Sequence, residues 1–326
     1  KTNILEAISI LAKGRGFRNA KIENLINSNH TNFLIEAEFE HNLDKNHIKV
    51  YNKIEDNKYK KITNVNNEVS KDAKDYLDSC LSYLIFLPEM ERLFLTSPSY
   101  RRNFIDRLIF TENKKYNSLV NKYKNKILER NKILIDFNFD ENWINIIENE
   151  IATLGLQIYD LRNNQINILN ENILHLNSIN AYPFAISFKI KDEFFKPDLN
   201  NEKYVLDLKN NRSLDSKIGG SKIGPHKSDF LAIINDNFDA SQLSTGQQKT
   251  LVLMTLMAQC NYLTNNKKII PILLFDEICS HLDSNNRRIL LDMIDKLDTQ
   301  FFLTGTEETL FSFISTNVEF YNITNL

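Results

Sequence analysis

Three short stretches decide the fold of this 326-residue chain: Ser241-Gln-Leu-Ser-Thr-Gly-Gln-Gln-Lys-Thr250, Ile270-Pro-Ile-Leu-Leu-Phe-Asp-Glu277 and Ser280-His-Leu-Asp283. In the first, Ser244 stands where it can cap a helix that continues through Leu251–Leu263, and Gly246 keeps the first turn clear of side chains. A helix start with a Ser and a Gly is a ready phosphate site, although a plain N-cap explains the same residues. In the second, four of the five residues before Asp276 are apolar, which predicts a buried strand delivering Asp276 and Glu277 at its carboxyl end. Ligands of open α/β sheets bind at that end. An Asp there can hold Mg²⁺, and a neighbouring Glu can polarise an attacking water. Alone, such a pair is also how an ordinary loop begins. Its arrival one helix after the first stretch, with Ser280–Asp283 behind it, is hard to assign to chance.

Working outward, Phe230–Ile234 reads as a strand ending at Asn235-Asp236-Asn237, and Phe184–Ile190 as another after Tyr182-Pro183. A polar segment, 191–201, and a short helix lie between them. Upstream, Ser97-Pro98 starts a helical stretch running to about Asp136, and Phe137–Asp140 interrupts it. A second stripe follows, with Ile147, Ile151, Leu154, Ile158, Leu161, Ile168 and Ile179 on one seam. Two such stripes predict an antiparallel helical hairpin. Gln165, Asn172 and His175 fall on the second seam, which predicts looser packing at its far end. Nearer the start, Phe33–Phe39, Ile48–Ile54 and Tyr59–Val65 alternate like strands, the last two joined around Asp56-Asn57. Asp72–Leu81 reads as a helix and Tyr83–Leu87 as a strand ending at Pro88. Thr2 begins a helix directly, with no initiator methionine, and the chain reads as cut from something longer.

The composition is globular, with 42% hydrophobic and 25% charged residues. No apolar run approaches the roughly 20 residues of a membrane span, and no signal-peptide pattern opens the chain. Three scattered cysteines and six His without ligand spacing argue against zinc and for a reducing, cytoplasmic setting. A net charge of −2 excludes a uniformly basic nucleic-acid coat but leaves local patches open. Residues 98–136 hold 10 Lys/Arg against 4 Asp/Glu, and residues 140–178 hold 1 against 6. Either the two helices pair electrostatically, or the basic one offers Arg101, Arg102, Lys114, Lys115, Lys122 and Lys126 to a phosphate backbone. Asn makes up about one residue in seven, a coding bias and not a functional signal.

LSTGQQKT, ILLFDE and SHLD resemble the signature, Walker B and D-loop motifs of ABC-type ATPases. Lys1-Thr-Asn-Ile-Leu-Glu-Ala-Ile8 then resembles the end of a Walker A motif whose glycines would lie upstream. The whole chain is similar to the RecF family of bacterial DNA replication and repair proteins. Gly14-Arg-Gly-Phe-Arg18, Leu87-Pro-Glu89, Ser97–Arg102, Phe104-Ile-Asp106, Gly224-Pro-His-Lys-Ser-Asp229 and Phe302-Leu-Thr-Gly-Thr306 carry this from end to end.

The resemblance implies an α/β fold: an ABC/SMC-head-like P-loop ATPase lobe with an inserted, mainly helical second lobe containing the hairpin. Its parts would be 1–92, the insertion 93–205, and 206–326. It implies ATP and Mg²⁺ as cofactors, with Lys1 on phosphate, Thr2 and Asp276 on the metal, and Glu277 activating water. Ser244, Gly246 and Gln247 would complete the nucleotide site of a second copy, with Asp283 beside them at the dimer interface. DNA at gaps and junctions, RecO and RecR would be the partners, in slow, regulatory ATP hydrolysis that serves recombinase loading. Two features depart from the ABC pattern. Thr304-Gly305-Thr306 follows the last strand where a switch His is usual, and Glu89 is the nearest counterpart of the usual Gln. His226 reads as structural. Two other readings remain: a nucleotide-gated protein scaffold with incidental DNA contact, and a transporter-type ATPase subunit, which would lack the helical insertion.

Overall fold

The computed structural model describes residues 1–326 apart from 13, 15, 19, 42, 57, 136–139, 181–184, 315–317 and 324–326, and apart from the side chains of 177–180. Arg15, Asn57, the interruption at 137–139, Tyr182-Pro183-Phe184 and the Ile179 side chain therefore lie outside the described residues.

The chain opens with α1 (Thr2–Ile10), β1 (Leu34–His41), β2 (Asp44–Glu55), β3 (Lys58–Val65), α2 (Lys71–Cys80) and β4 (Tyr83–Phe86). Three helices follow, α3 (Pro98–Glu112), α4 (Tyr116–Ile135) and α5 (Glu141–Asn180). Next come β5 (Ile186–Lys191), α6 (Asn201–Asn210), α7 (Arg212–Ile218), β6 (Asp229–Ile234), β7 (Phe238–Asp239) and α8 (Thr245–Tyr262). β8 (Ile272–Phe275), α9 (Ser284–Asp295) and β9 (Phe301–Leu303) complete the order. No helix among the described residues is long and apolar enough to cross a membrane. Residues 1–91 with 260–326 form one compact unit, and 92–259 form the other. The return thus falls inside α8 and not at 205/206, because α8 belongs with the helical unit as far as Gln259. Gln259 donates to Leu108 O at 3.2 Å and to Thr111 Oγ1 at 3.0 Å on α3.

In the first unit, β1, β2 and β3 pair antiparallel. Their alternation puts Ile48, Val50 and Val65 in a core with Ile10 and Leu11 from the end of α1 and Leu77 and Leu81 from α2. Lys61 reaches from β3 to the end of α1, donating to Ile10 O at 2.5 Å, Ala12 O at 2.8 Å and Gly14 O at 3.2 Å. A cation there satisfies carbonyls that the helix leaves open. Burial pushes the Lys61 ammonium pKa down to about 8. A second, parallel sheet runs β4-β8-β9. β8 is its central strand, and Leu273, Leu274 and Phe275 are fully buried. Phe86, Phe275 and Leu303 stand in register, so the residues after them emerge side by side.

In the second unit, α4 and α5 run antiparallel, with Lys126 paired to Glu150 and Arg130 to Glu148. The buried seam of α5 is Ile144, Ile147, Ile151, Gly155, Ile158, Arg162, Gln165, Leu169, Ile173 and Leu176. Leu154, Leu161 and Ile168, expected on it, are only half-buried. Of the three polar residues expected to loosen its far end, Gln165 is 3% exposed and donates to Gln259 Oε1 at 2.7 Å, whereas Asn172 is half-buried and His175 exposed. Arg130 is fully buried, bonded to Glu148 at 2.9 Å, Asp215 at 2.6 Å and Leu208 O at 2.7 Å. Arg212 adds a second cation to Glu148 at 2.6 Å.

The 224–229 loop is clamped from several elements. Gly224 has φ +123°, and a Cβ there would lie 2.3 Å from the hydroxyls of Tyr123 and Tyr204. Arg162 grips Asp106 through two bonds of 2.9 Å and donates to Pro225 O. His226 Nε2 donates to Ser221 O at 2.9 Å, which leaves Nδ1 to accept from the Tyr123 hydroxyl at 2.8 Å. Both ring nitrogens are used as a neutral imidazole uses them, so His226 is a structural residue. Burial holds its pKa below the usual range.

Two outcomes follow from these buried charges. Arg130→Ala takes the cation from Asp215 and one of two from Glu148, and should cost about 3–5 kcal/mol, read as a lowered urea midpoint at unchanged helical content. His226 binds its proton less readily folded than unfolded, so its contribution is complete above pH 6.5, its ordinary pKa, and is lost as pH falls below it. The urea midpoint should therefore drop more steeply from pH 7 to pH 5 in the parent than in His226→Gln.

Candidate nucleotide site

The parallel register determines what meets at the end of β8. Asp276 follows Phe275, and Thr304 follows Leu303 in the neighbouring strand. The Asp276 N–H donates to Phe86 O at 2.9 Å, and the Thr304 N–H to Phe275 O at 3.0 Å, so both residues leave the sheet held by backbone bonds. The Asp276 carboxylate is 2% exposed. Thr2, on the first turn of α1, donates its hydroxyl to Asp276 Oδ2 at 2.8 Å. Thr304 donates to Asp276 Oδ1 at 2.6 Å. Each carboxylate oxygen thus carries one charge-assisted bond. Lys1 Nζ lies 2.6 Å from Gly305 O, on the same short stretch as Thr304.

Glu277 turns away from the strand with φ +51°, a left-handed conformation unusual for a side chain larger than glycine. Its N–H donates to Thr304 Oγ1 at 2.9 Å. Ser280 closes the turn, donating to Glu277 O at 2.7 Å. His281 is again left-handed, at φ +58°. Asp283 caps α9 through Oδ1, which accepts from Asn286 N at 2.8 Å. A residue not singled out in the sequence holds this loop from beneath. Glu91, 7% exposed, lies 3.2 Å from Ser280 Oγ and 3.2 Å from His281 Nδ1. Glu89, the expected counterpart of the usual Gln, is exposed. In the sequence Glu91 is one of three charged residues of Leu87–Leu95, beside Glu89 and Arg92, and nothing sets it apart from them without its partners.

The first unit therefore gathers Lys1, Thr2, Asp276 and Glu277, and adds Thr304. Ser244, Gly246 and Gln247 lie in the second unit, on the first turn of α8. The Gln247 N–H donates to Ser244 Oγ at 3.4 Å, and Gln247 Oε1 accepts from Ser244 N at 3.0 Å. This reciprocal pair is a capping box. Gly246 stands between them and adds no side chain to the turn. A helix start carries backbone donors without intrahelical partners, which is the chemistry an anion needs. A hydroxyl and a buried carboxylate, Thr2 and Asp276, are hard oxygen donors that fit Mg²⁺. Bound there, the ion would neutralise charge on the phosphates.

The basic residues expected on DNA divide. Arg101 is corrected: it is 8% exposed, grips Asp229 at 2.7 and 2.8 Å, and donates to Phe94 O and Thr96 O. Arg102 is corrected as well, since it donates to Ser228 O at 2.6 Å and is partly buried. Both hold the 224–229 loop region. Lys126 is paired with Glu129 and Glu150, and Lys114 stands 5.1 Å over the Phe110 ring. Lys122, on α4, and Lys115, just before its first residue, are exposed.

A family model described as the RecF/RecN/SMC N terminal domain matches residues 1–325. The DNA replication and repair protein RecF of Rickettsia conorii is 34% identical over 312 residues, covering 94% of this chain and 85% of that protein. This chain belongs to the RecF family. RecF of Rickettsia felis is also 34% identical, over 324 residues, with 94% and 84% covered. Among solved structures, RecF with ATP, a recombination mediator protein of the RecFOR pathway, superposes with a TM-score of 0.79. It is 25% identical and covers 94% of this chain and 83% of its own. An Smc head bound to the C-winged helix domain of ScpA shares the fold, with a TM-score of 0.51 at 15% identity over 96% of this chain and 80% of that one. RecF membership makes this an α/β ATPase of the ABC and SMC-head type, in a family of DNA replication and repair proteins.

Thr2→Val should lower Mg²⁺-dependent ATP affinity of the intact protein about 10- to 100-fold, the range for losing a metal-site partner. Calorimetric titration with and without Mg²⁺ checks it.

Proposed function

We propose that this RecF-family chain works as an ATP-dependent DNA clamp in recombinational repair and replication restart. The observation that carries the reading is the bonded set Thr2–Asp276–Thr304–Glu277 at the end of β8. Such a set would provide a cation site and a water-orienting carboxylate, which are the parts phosphoryl transfer needs. Lys1 would serve the phosphates and Glu277 would orient the attacking water. The Ser244–Gln247 turn, with Asp283, would complete the site of a second copy, so ATP would join two chains and hydrolysis would release them. Turnover would be slow and stimulated by DNA. The setting would be cytoplasmic. RecO and RecR, the partners in recombinase loading at gaps and junctions and in the SOS response, are supported by the family and by the RecFOR pathway of the ATP-bound relative.

The DNA surface we assign is the outward face of α4. Lys122, Lys124 and Lys132, with Lys115 just before the helix, are all exposed there, with Asn117, Ser118, Asn121 and Asn125 among them. The nearest carboxylate, Glu129, is taken by Lys126. Lys with interleaved Asn and Ser suits phosphate contacts and not base reading.

The test is ATP-dependent retention of gapped DNA by the intact protein across a salt series. The parent should retain DNA with ATP and release it on hydrolysis, and Glu277→Gln should hold it. Reversing Lys115, Lys122, Lys124 and Lys132 to Glu should weaken retention uniformly across sequences and flatten the salt slope by about one for each lysine that met a phosphate. ATP-dependent pairing of two copies without DNA retention by the parent would favour the protein-scaffold reading instead.

A further inference from the structure

We propose that Thr304 is a positioning residue for hydrolysis: its hydroxyl locks the metal-site carboxylate of Asp276 and the backbone of Glu277 into one geometry. The proposal rests on the nucleotide-site reading above and deepens it.

The hydrogen-bond roles at Thr304 are fixed by chemistry. A hydroxyl has one proton to give and two lone pairs to receive. Asp276 Oδ1, as a carboxylate oxygen, can only accept, so the Thr304 proton points to it across 2.6 Å. The Glu277 N–H can only donate, so it falls on a Thr304 lone pair across 2.9 Å. One side chain thereby reads one residue's carboxylate and the next residue's backbone. The Thr304 main chain is itself anchored by its N–H on Phe275 O at 3.0 Å, so the hydroxyl has little freedom to follow a wandering partner.

What this holds is not a relaxed turn. Glu277 sits at φ +51°, and a non-glycine residue keeps such a conformation only where its surroundings over-determine it. The bond to its N–H is the first of those constraints and Ser280 supplies another, donating to Glu277 O. The direction in which the Glu277 side chain leaves the strand is set by this φ. Without the Thr304 hydroxyl, the Glu277 N–H loses its acceptor, and Asp276 keeps only Thr2. Ground-state binding draws on Lys1, Thr2 and Asp276, all still present, whereas the orientation of water depends on where Glu277 points.

The residue does not touch substrate in this arrangement; it acts through Asp276 and Glu277. That separates it from a group that contacts the terminal phosphate itself, which would be expected to change nucleotide affinity when removed.

The experiment compares Thr304→Val, which keeps shape and loses the hydroxyl, with Thr304→Ser, which keeps the hydroxyl, in the intact protein. Melting temperature, ATP affinity and kcat are measured for each. Thr304→Val should lower kcat about 10- to 100-fold while ATP affinity stays within about threefold, and Thr304→Ser should restore kcat to within about threefold. In a Glu277→Gln background, Thr304→Val should cost little more, because both changes act on one step. Wild-type kcat in Thr304→Val, failure of Thr304→Ser to rescue, or full additivity with Glu277→Gln would overturn the proposal while leaving the nucleotide site intact. An affinity loss equal to the rate loss would also overturn it. If the parent itself bound no ATP, the site reading would fall, and this proposal with it. Should Thr304→Val not fold, Thr304→Ser against Thr304→Ala in the Glu277→Gln cycle decides by the same criteria.

Discussion

A single buried carboxylate organises this molecule. Asp276 lies at the end of the most deeply buried strand, and its oxygens are met by hydroxyls from chain positions hundreds of residues apart, Thr2 and Thr304. Burying a carboxylate without partners is costly, so the fold must bring those hydroxyls to it or neutralise it. The parallel pairing of β4, β8 and β9 does this for Thr304 by register alone, and α1 does it for Thr2. Everything chemically interesting in the first unit lies within a few residues of that convergence, including the left-handed turn at Glu277 and the loop that Glu91 steadies.

The second unit solves a comparable problem without a ligand. Its hairpin buries Arg130 and Arg162 and satisfies them with Glu148, Asp215 and Asp106 drawn from other helices. Such pairs add little net stability over a well-packed apolar core, but leaving one charge unpaired is severe. The arginines of the 97–102 stretch do the same work for the 224–229 loop. Arg101, Arg102, Arg130 and Arg162 are therefore braces, whereas Lys122, Lys124 and Lys132 of α4, with Lys115 just before it, are exposed to water.

The sequence was most legible where one simple pattern had one physical cause. The apolar run before Asp276, the alternation in β1 to β3, and the stripe of the long helix were each visible as periodicity. The hairpin seam was legible only in outline. The series Leu154, Leu161 and Ile168 is apolar but only half-buried, whereas the series one residue on, Gly155, Arg162 and Leu169, carries the buried line although its residues look less apolar. Polar residues on that line looked like defects because their partners, Asp106 and Gln259, are remote in sequence. The same remoteness hid Glu91 and made Arg101 and Arg102 look available to DNA. Charge can be counted in a sequence, but whether a donor is already engaged is decided by tertiary neighbours.

The capping box on α8 has one more consequence. The Ser244 hydroxyl and the Gln247 amide already satisfy each other's backbone. In both bonds the side chain is the acceptor, so the cap leaves the Ser244 hydroxyl proton unspent. An anion could take that proton as a donor while the Gln247 N–H still rests on the same oxygen. The turn can therefore be rigid before a ligand arrives and stay rigid once one is held, with no cap to break on the way.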